Sequence, residues 1–142
     1  MEQVLITLHT RIMDDGEEET SQNTYRGHYY EKNNLEVLSF EEKTEDQYLI
    51  KSLITIQPEK VTIKRSGLIS MNQQFRKDQI TESIYTHPHG HMRMETFTNA
   101  ITYQVDDQQT RGQLKIDYTV KLNGQEERHH MLTLTYQKED IQ

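Results

Sequence analysis

The sequence predicts an all-β fold: one closed antiparallel barrel of about eight to ten strands, in a single domain over residues 1–142. Three observations carry this. Apolar residues recur at every second position almost throughout, the period of strands with one buried face. Turn chemistry falls between those stretches at short intervals, and no stretch carries a capped apolar stripe of helical period. The apolar supply is small, with Leu, Ile, Val and Phe making up 31 of 142 residues and no Trp. A closed barrel suits that supply better than the alternative, a sandwich, because closure removes exposed edges and lets one face of every strand share one interior.

Taken in order, Val4, Ile6 and Leu8 alternate with Leu5, Thr7 and His9 in a first strand that "DDG" at 14–16 ends. "NTYRGHYY" at 23–30 and "LEVLSFEE" at 35–42 are strands joined by the turn "KNN". "SFEEKTEDQYL" leaves room for a helical turn before the strand "YLIKSLITIQ" at 48–57. "QPEK" turns the chain into "KVTIKR" at 60–65, and Ser66-Gly67 into "LISMNQQF" at 68–75. "QITESIY" at 79–85 leads to "HPHG" at 87–90, which suits a type I turn with Pro88 in second place and Gly90 in the left-handed conformation. "MRMETF" at 92–97 and "ITYQV" at 101–105 follow as two strands, then the turn "DDQQTRG". Leu114, Ile116, Tyr118, Val120 and Leu122 mark the next strand. Asn123-Gly124, the strongest turn signal, places two residues tolerant of positive φ in a type I′ hairpin before "RHHMLTLTYQ" at 128–137.

Composition narrows the function. A formal charge of −7, with acids spread along the chain, argues against nucleic-acid or anionic-membrane partners, which want clustered Lys and Arg. Zero Cys excludes disulfides, thiolate catalysis and sulfur-based zinc sites. The opening "MEQVLITLHT" lacks the basic-then-apolar pattern of a signal peptide, and no run reaches the length of a membrane span, so a cytoplasmic location is expected. There is no Gly-rich phosphate loop and no nucleophile elbow, and neighbouring acids such as Glu41 with Glu42 fall on opposite strand faces. A non-enzymatic protein without a cofactor is expected.

"RGHYYEKNNLEVLSFEE", "SLITIQPEKVTIKRSGLISMNQQF", "YTHPHG" and "LKIDYTVKLNGQEERHHMLTLTYQ", in that order, resemble the YwiB-like family of small bacterial proteins. The likeness rests on strand patterning and on scattered residues: Gly27 with Tyr29 and Tyr30, Arg65 with Gly67, Met71 with Phe75, Pro88 with Gly90. The resemblance implies a calycin-like, lipocalin-type closed barrel, in a family whose function is not assigned.

Parity selects the candidate site residues. Val61 and Ile63 put Arg65 on an apolar face, Leu38 and Phe40 do the same for Glu42, and Gln73 sits between Met71 and Phe75. An ionisable group directed inward is costly unless paired, so Arg65 is expected to meet Glu42 or an anionic ligand head, or else to reach water at the strand end. Tyr25 and Tyr29 share a face around Gly27 and offer hydroxyls to a cavity, although tyrosine is also an ordinary strand former. His130 points inward with Leu132 and Leu134, either as a core histidine with a hydrogen-bond partner or as a ligand contact.

The remaining chemistry is "YTHPHGHMRM" at 85–94, where His87, His89 and His91 stand at alternate positions. In an unbroken strand they would share a side and could hold a metal ion with an open position. Pro88 and Gly90 break that strand, leaving His87 and His91, with Glu95, as weak metal candidates across the hairpin neck. The function expected is binding of a small apolar or amphipathic ligand in or at the mouth of the barrel, through Arg65, Glu42, Tyr25, Tyr29 and His130. The rivals are a protein-interaction module with a filled core, contacting a partner or forming a homodimer through an outer face, and a metal-dependent hydrolase on the three histidines.

Overall fold

A computed structural model describes residues 2–139, and it is all-β. Ten strands follow one another as β1 (Glu2–Asp14), β2 (Glu17–Lys32), β3 (Leu35–Lys43), β4 (Leu49–Ile56), β5 (Val61–Gly67), β6 (Met71–Phe75), β7 (Ile80–His87), β8 (Gly90–Val105), β9 (Arg111–Leu122) and β10 (Arg128–Lys138). The ladders between named strands are all antiparallel, and every strand from β1 to β6 and from β7 to β10 pairs with its sequence neighbour. β1 and β10, paired from Val4 with Lys138 to Met13 with His129, join the two halves of the sheet at its middle. Period two does what it predicts: Val4, Ile6, Leu38, Ile54, Val61, Phe75, Leu114, Ile116, Leu132 and Leu134 all bury one face in a single core. Among the described residues no helix is long and apolar enough to cross a membrane.

The barrel is nearly closed. Its seam lies between β6 and β7, which stand side by side without a ladder. Ser70 and Thr86 exchange two backbone hydrogen bonds of 2.9 Å at one end of the seam, and the Thr81 hydroxyl donates to the Gln74 carbonyl at 2.6 Å farther along. Inside, Gln73 Nε2 donates to Thr96 Oγ1 at 2.9 Å and ties β6 to β8. Because side chains replace backbone pairing here, Thr81→Val should cost about 1 kcal/mol in urea denaturation, the net worth of one hydrogen bond. A change within about 0.3 kcal/mol would show that the Thr81 hydroxyl adds nothing to the seam.

Local details depart from the expected elements for identifiable reasons. The segments 92–97 and 101–105 are one strand, β8, interrupted by a bulge: Thr98 pairs with Tyr118 and Ala100 with Asp117, so Asn99 is the extra residue. The bulge shifts the inward set from Met94, Thr96 and Thr98 to Ile101 and Tyr103, and that change of phase is what made one strand read as two. The room for a helical turn after Phe40 is taken by β3 and a turn in which Thr44 Oγ1 accepts from the Tyr48 backbone N–H at 3.1 Å. β2 begins at Glu17, earlier than its apolar residues, because it continues the β1 hairpin as an exposed ribbon. Asn123 and Gly124 have φ of 50° and 72°, the positive pair a type I′ turn demands.

Candidate functional site

One end of the barrel interior is hollow. Where the core cluster gives way to polar inward residues, a cavity of about 560 Å³ opens between β2–β5 on one side and β7–β10 on the other. Four of the five expected site residues line it: Tyr25, Glu42, Arg65 and His130.

The register explains how Arg65 and Glu42 meet. Phe40 pairs with Ser52, and Ser52 with Arg65, so the small Ser52 side chain on β4 leaves room for Arg65 to reach across to β3. Arg65 Nη2 donates to Glu42 Oε1, and Tyr25 Oη donates to Glu42 Oε2 at 3.1 Å. Each carboxylate oxygen is thus engaged, which offsets the cost of taking the pair from water. Tyr25 stacks on Phe40, with centroids 4.5 Å apart and planes 21° from parallel. Burial, reinforced by the negative charge of Glu42, raises the Tyr25 phenol above its ordinary value and keeps it a donor.

His130 stacks on Tyr118 with centroids 5.0 Å apart and planes 18° from parallel, a consequence of their direct pairing between β10 and β9. Burial, reinforced by the charge of Arg128 nearby, pushes the imidazole down to about 4. Its neighbour His129 takes the outer face and bonds Asp117. At neutral pH the cavity therefore holds an uncharged imidazole beside the Arg65–Glu42 pair. As pH falls below 6.5, the unfolded chain takes up a proton that folded His130 refuses until about 4. Its contribution to stability is full above 6.5 and is lost as pH falls toward 4. Urea midpoints measured at about pH 7.5 and about pH 5 should fall more for the wild type than for His130→Gln. Equal falls would mean that His130 does not couple to folding.

Tyr29 is not part of this site. It shares a face with Tyr25, as its parity requires, but lies at the other end of the interior, where its hydroxyl donates to Glu36 Oε1 at 2.7 Å. Tyr103 donates to the same oxygen at 2.8 Å and meets the Tyr136 hydroxyl at 2.7 Å. With Lys138 Nζ 4.6 Å from the Tyr29 ring centroid, these groups form a satisfied polar floor. Burial raises the Tyr29 and Tyr103 phenols.

His87 and His91 of the β7–β8 hairpin do not converge either, although the His87 and His89 rings lie edge to face with centroids 6.0 Å apart. His87 pairs with Gly90 and His91 with Thr86, successive rungs whose side chains take opposite faces, so they do not meet across the neck. His87 Nδ1 accepts from the His89 backbone N–H at 3.1 Å, and His91 Nδ1 lies 3.0 Å from Thr86 Oγ1. Glu95 is paired with Arg93 at 3.1 Å. Gly90 has φ of 139°, positive as the turn requires. Among the described residues the group close enough to share a metal ion is Asp14, Asp15 and Glu126, with no histidine in it.

Sequence reasoning missed the apolar wall of the cavity, which includes Met71, Met92 and Met94, and it missed Tyr118 as the partner of His130. Met92 and Met94 were legible from alternation alone. The Tyr118 contact needed the register.

The chain and its ten-stranded fold have known counterparts. The family described as "Domain of unknown function (DUF1934)" matches residues 6–134. The chain belongs to that family. The uncharacterized β-barrel protein YwiB of Bacillus subtilis (strain 168) is 31% identical over 134 residues, which cover 93% of this chain and 92% of that protein. The crystal structure of the ywiB protein from Bacillus subtilis superposes with a TM-score of 0.87 at 27% identity, covering 98% of this chain and 93% of the other. Membership of the DUF1934 family and the YwiB-type barrel agree with the resemblance drawn from the residues and give the fold an experimental parallel. The description of the relative names a barrel and no reaction.

Proposed function

We propose that this DUF1934 protein is a non-enzymatic binding protein of the bacterial cytoplasm that takes a small amphipathic molecule into the open end of its barrel. The observation that carries this is the makeup of the cavity: an apolar wall including Met71, Met92, Met94, Ile54, Ile63 and Leu122, with one polar focus at Arg65, Glu42 and Tyr25. At about 560 Å³ it falls within the range of small-molecule sites, which are mostly apolar with a few placed polar groups. The same barrel packed solid would serve only as a scaffold; a hollow end with an inward ion pair has a use for both.

Native mass spectrometry of protein purified without detergent tests this. A bound small molecule released by unfolding, and lost when Met92→Trp fills the cavity, is the expected result. A bare polypeptide mass, together with no thermal stabilisation by any amphipathic compound in a metabolite panel, would overturn the reading.

A second reading, contact with a partner or a second copy through an outer face, is favoured by Ile80 and Ile84, which are 65% and 54% exposed on the outside of β7 beside the seam. Light scattering across a concentration series, with Ile80→Ser/Ile84→Ser as comparison, would support it if the mass rises for the wild type alone. A constant monomer mass would remove the homodimer.

A further inference from the structure

Two aromatic stacks line the cavity, Tyr25 on Phe40 from β2 and β3, and His130 on Tyr118 from β10 and β9. They flank β1 on either side, since β1 pairs with both β2 and β10. Facing the cavity from β6 and β8 are the thioethers of Met71, Met92 and Met94. We infer that the molecule this site takes is a planar aromatic anion, with its ring between the stacks and the methionines and its acidic group at Arg65. This rests on the binding reading above and names its ligand class.

The ring follows from what the walls reward. An alkyl chain would gain only area burial, whereas an aromatic ring adds offset or edge contacts with aromatic neighbours and contacts with methionine sulfur, each worth a further fraction of a kcal/mol to somewhat more. Methionine also adapts its shape to a rigid guest.

The acidic group follows from hydrogen-bond capacity. Glu42 has one oxygen on Arg65 and the other on Tyr25. Arg65 uses Nη2 for that bond, while a guanidinium carries five N–H donors in a planar fork suited to a carboxylate or sulfonate. The surplus at the polar focus is thus in donors, and a ligand cation would find both oxygens of Glu42 already engaged. At the rim Arg128, with Nε on Asp14 at 3.3 Å, stands beside the carboxylate of Glu126, so the inner anion site is Arg65.

The test is calorimetric titration of the full chain with three probes of similar size: 2-naphthoate, dodecanoate and 2-naphthylmethylamine. Naphthoate should bind at least roughly tenfold more tightly than either of the others, and Arg65→Gln should weaken it by about tenfold or more while strengthening the amine, which then finds Glu42 without its cation. Tighter or equal binding of dodecanoate or the amine would overturn the inference and leave the amphipathic-ligand reading standing. Failure of all three probes would overturn the inference, and a bare polypeptide in the native mass spectrum with no stabilisation by the metabolite panel would then overturn the binding reading as well. Should Arg65→Gln not fold, Tyr25→Leu, which removes the stack on Phe40, provides the second arm: it should weaken naphthoate and not dodecanoate, and equal losses would refute the aromatic claim.

Discussion

Phe75→Ala is expected to lower the unfolding free energy by about 3–5 kcal/mol, the range for emptying a large aromatic from a packed core. Phe75 is fully buried and meets Tyr118 edge-on, with centroids 4.8 Å apart and planes 68° from parallel. Its strand amplifies the effect, because β6 has a ladder to β5 on one side and the seam on the other, so side-chain packing supplies what a second ladder supplies elsewhere. At roughly 3 °C per kcal/mol for a domain of this size, the melting temperature should fall by about 10–15 °C. Hydrogen exchange should show β6 opening first, and Phe75→Leu should recover most of the loss. A variant within about 1 kcal/mol of wild type would mean that the Tyr118 ring collapses into the space at little cost.

Gly27→Ala is expected to be nearly as damaging, at about 3 kcal/mol or more, for the opposite reason. A methyl group there would stand 2.2 Å from the Ser39 carbonyl oxygen and 2.8 Å from Ile6 Cδ1. The first is backbone held by the pairing of β2 with β3, so it cannot rotate away. Relief would require opening that ladder just where it begins, at Gly27 with Phe40, and would move Phe40 out from beneath Tyr25. Circular dichroism melts would show a loss of about 10 °C, with weaker binding of any cavity ligand. Unchanged stability would mean the two strands are farther apart than described.

What the sequence disclosed and what it withheld divide along one physical line. Alternation tells which face a residue takes, so Arg65, Glu42, Tyr25 and His130 were placed inward correctly. It does not tell height along the barrel. Tyr25 and Tyr29 share a face, yet at about 3.3 Å per residue they stand about 13 Å apart, and that distance separates the cavity from the polar floor. The pairing of Arg65 with Glu42 was foreseeable because burying either alone is costly, and the structure provides the small Ser52 between them. Cross-strand partners were the harder problem. A two-residue turn at Asn123-Gly124 would set Leu122 against Gln125, and so His130 against Asp117; the excursion through residues 125–127 shifts the ladder by one, to Tyr118. His87 and His91 failed in the same way, since their faces depend on which residue opposes Gly90. The bulge at Asn99 could not be read from alternation, which only reports that a phase has changed.

The ladder between β1 and β10 also sets a timetable for synthesis. Of the ten strands β1 leaves the ribosome first and β10 last, a wait on the order of 10 s at ordinary elongation rates. Until then β1 has only its hairpin with β2, and the edge reserved for β10 is open to any other strand that comes near. On its other side β1 is covered by β2, whose ribbon carries Glu17, Glu18 and Glu19. The first strand of this barrel thus keeps an open edge until the last one is made.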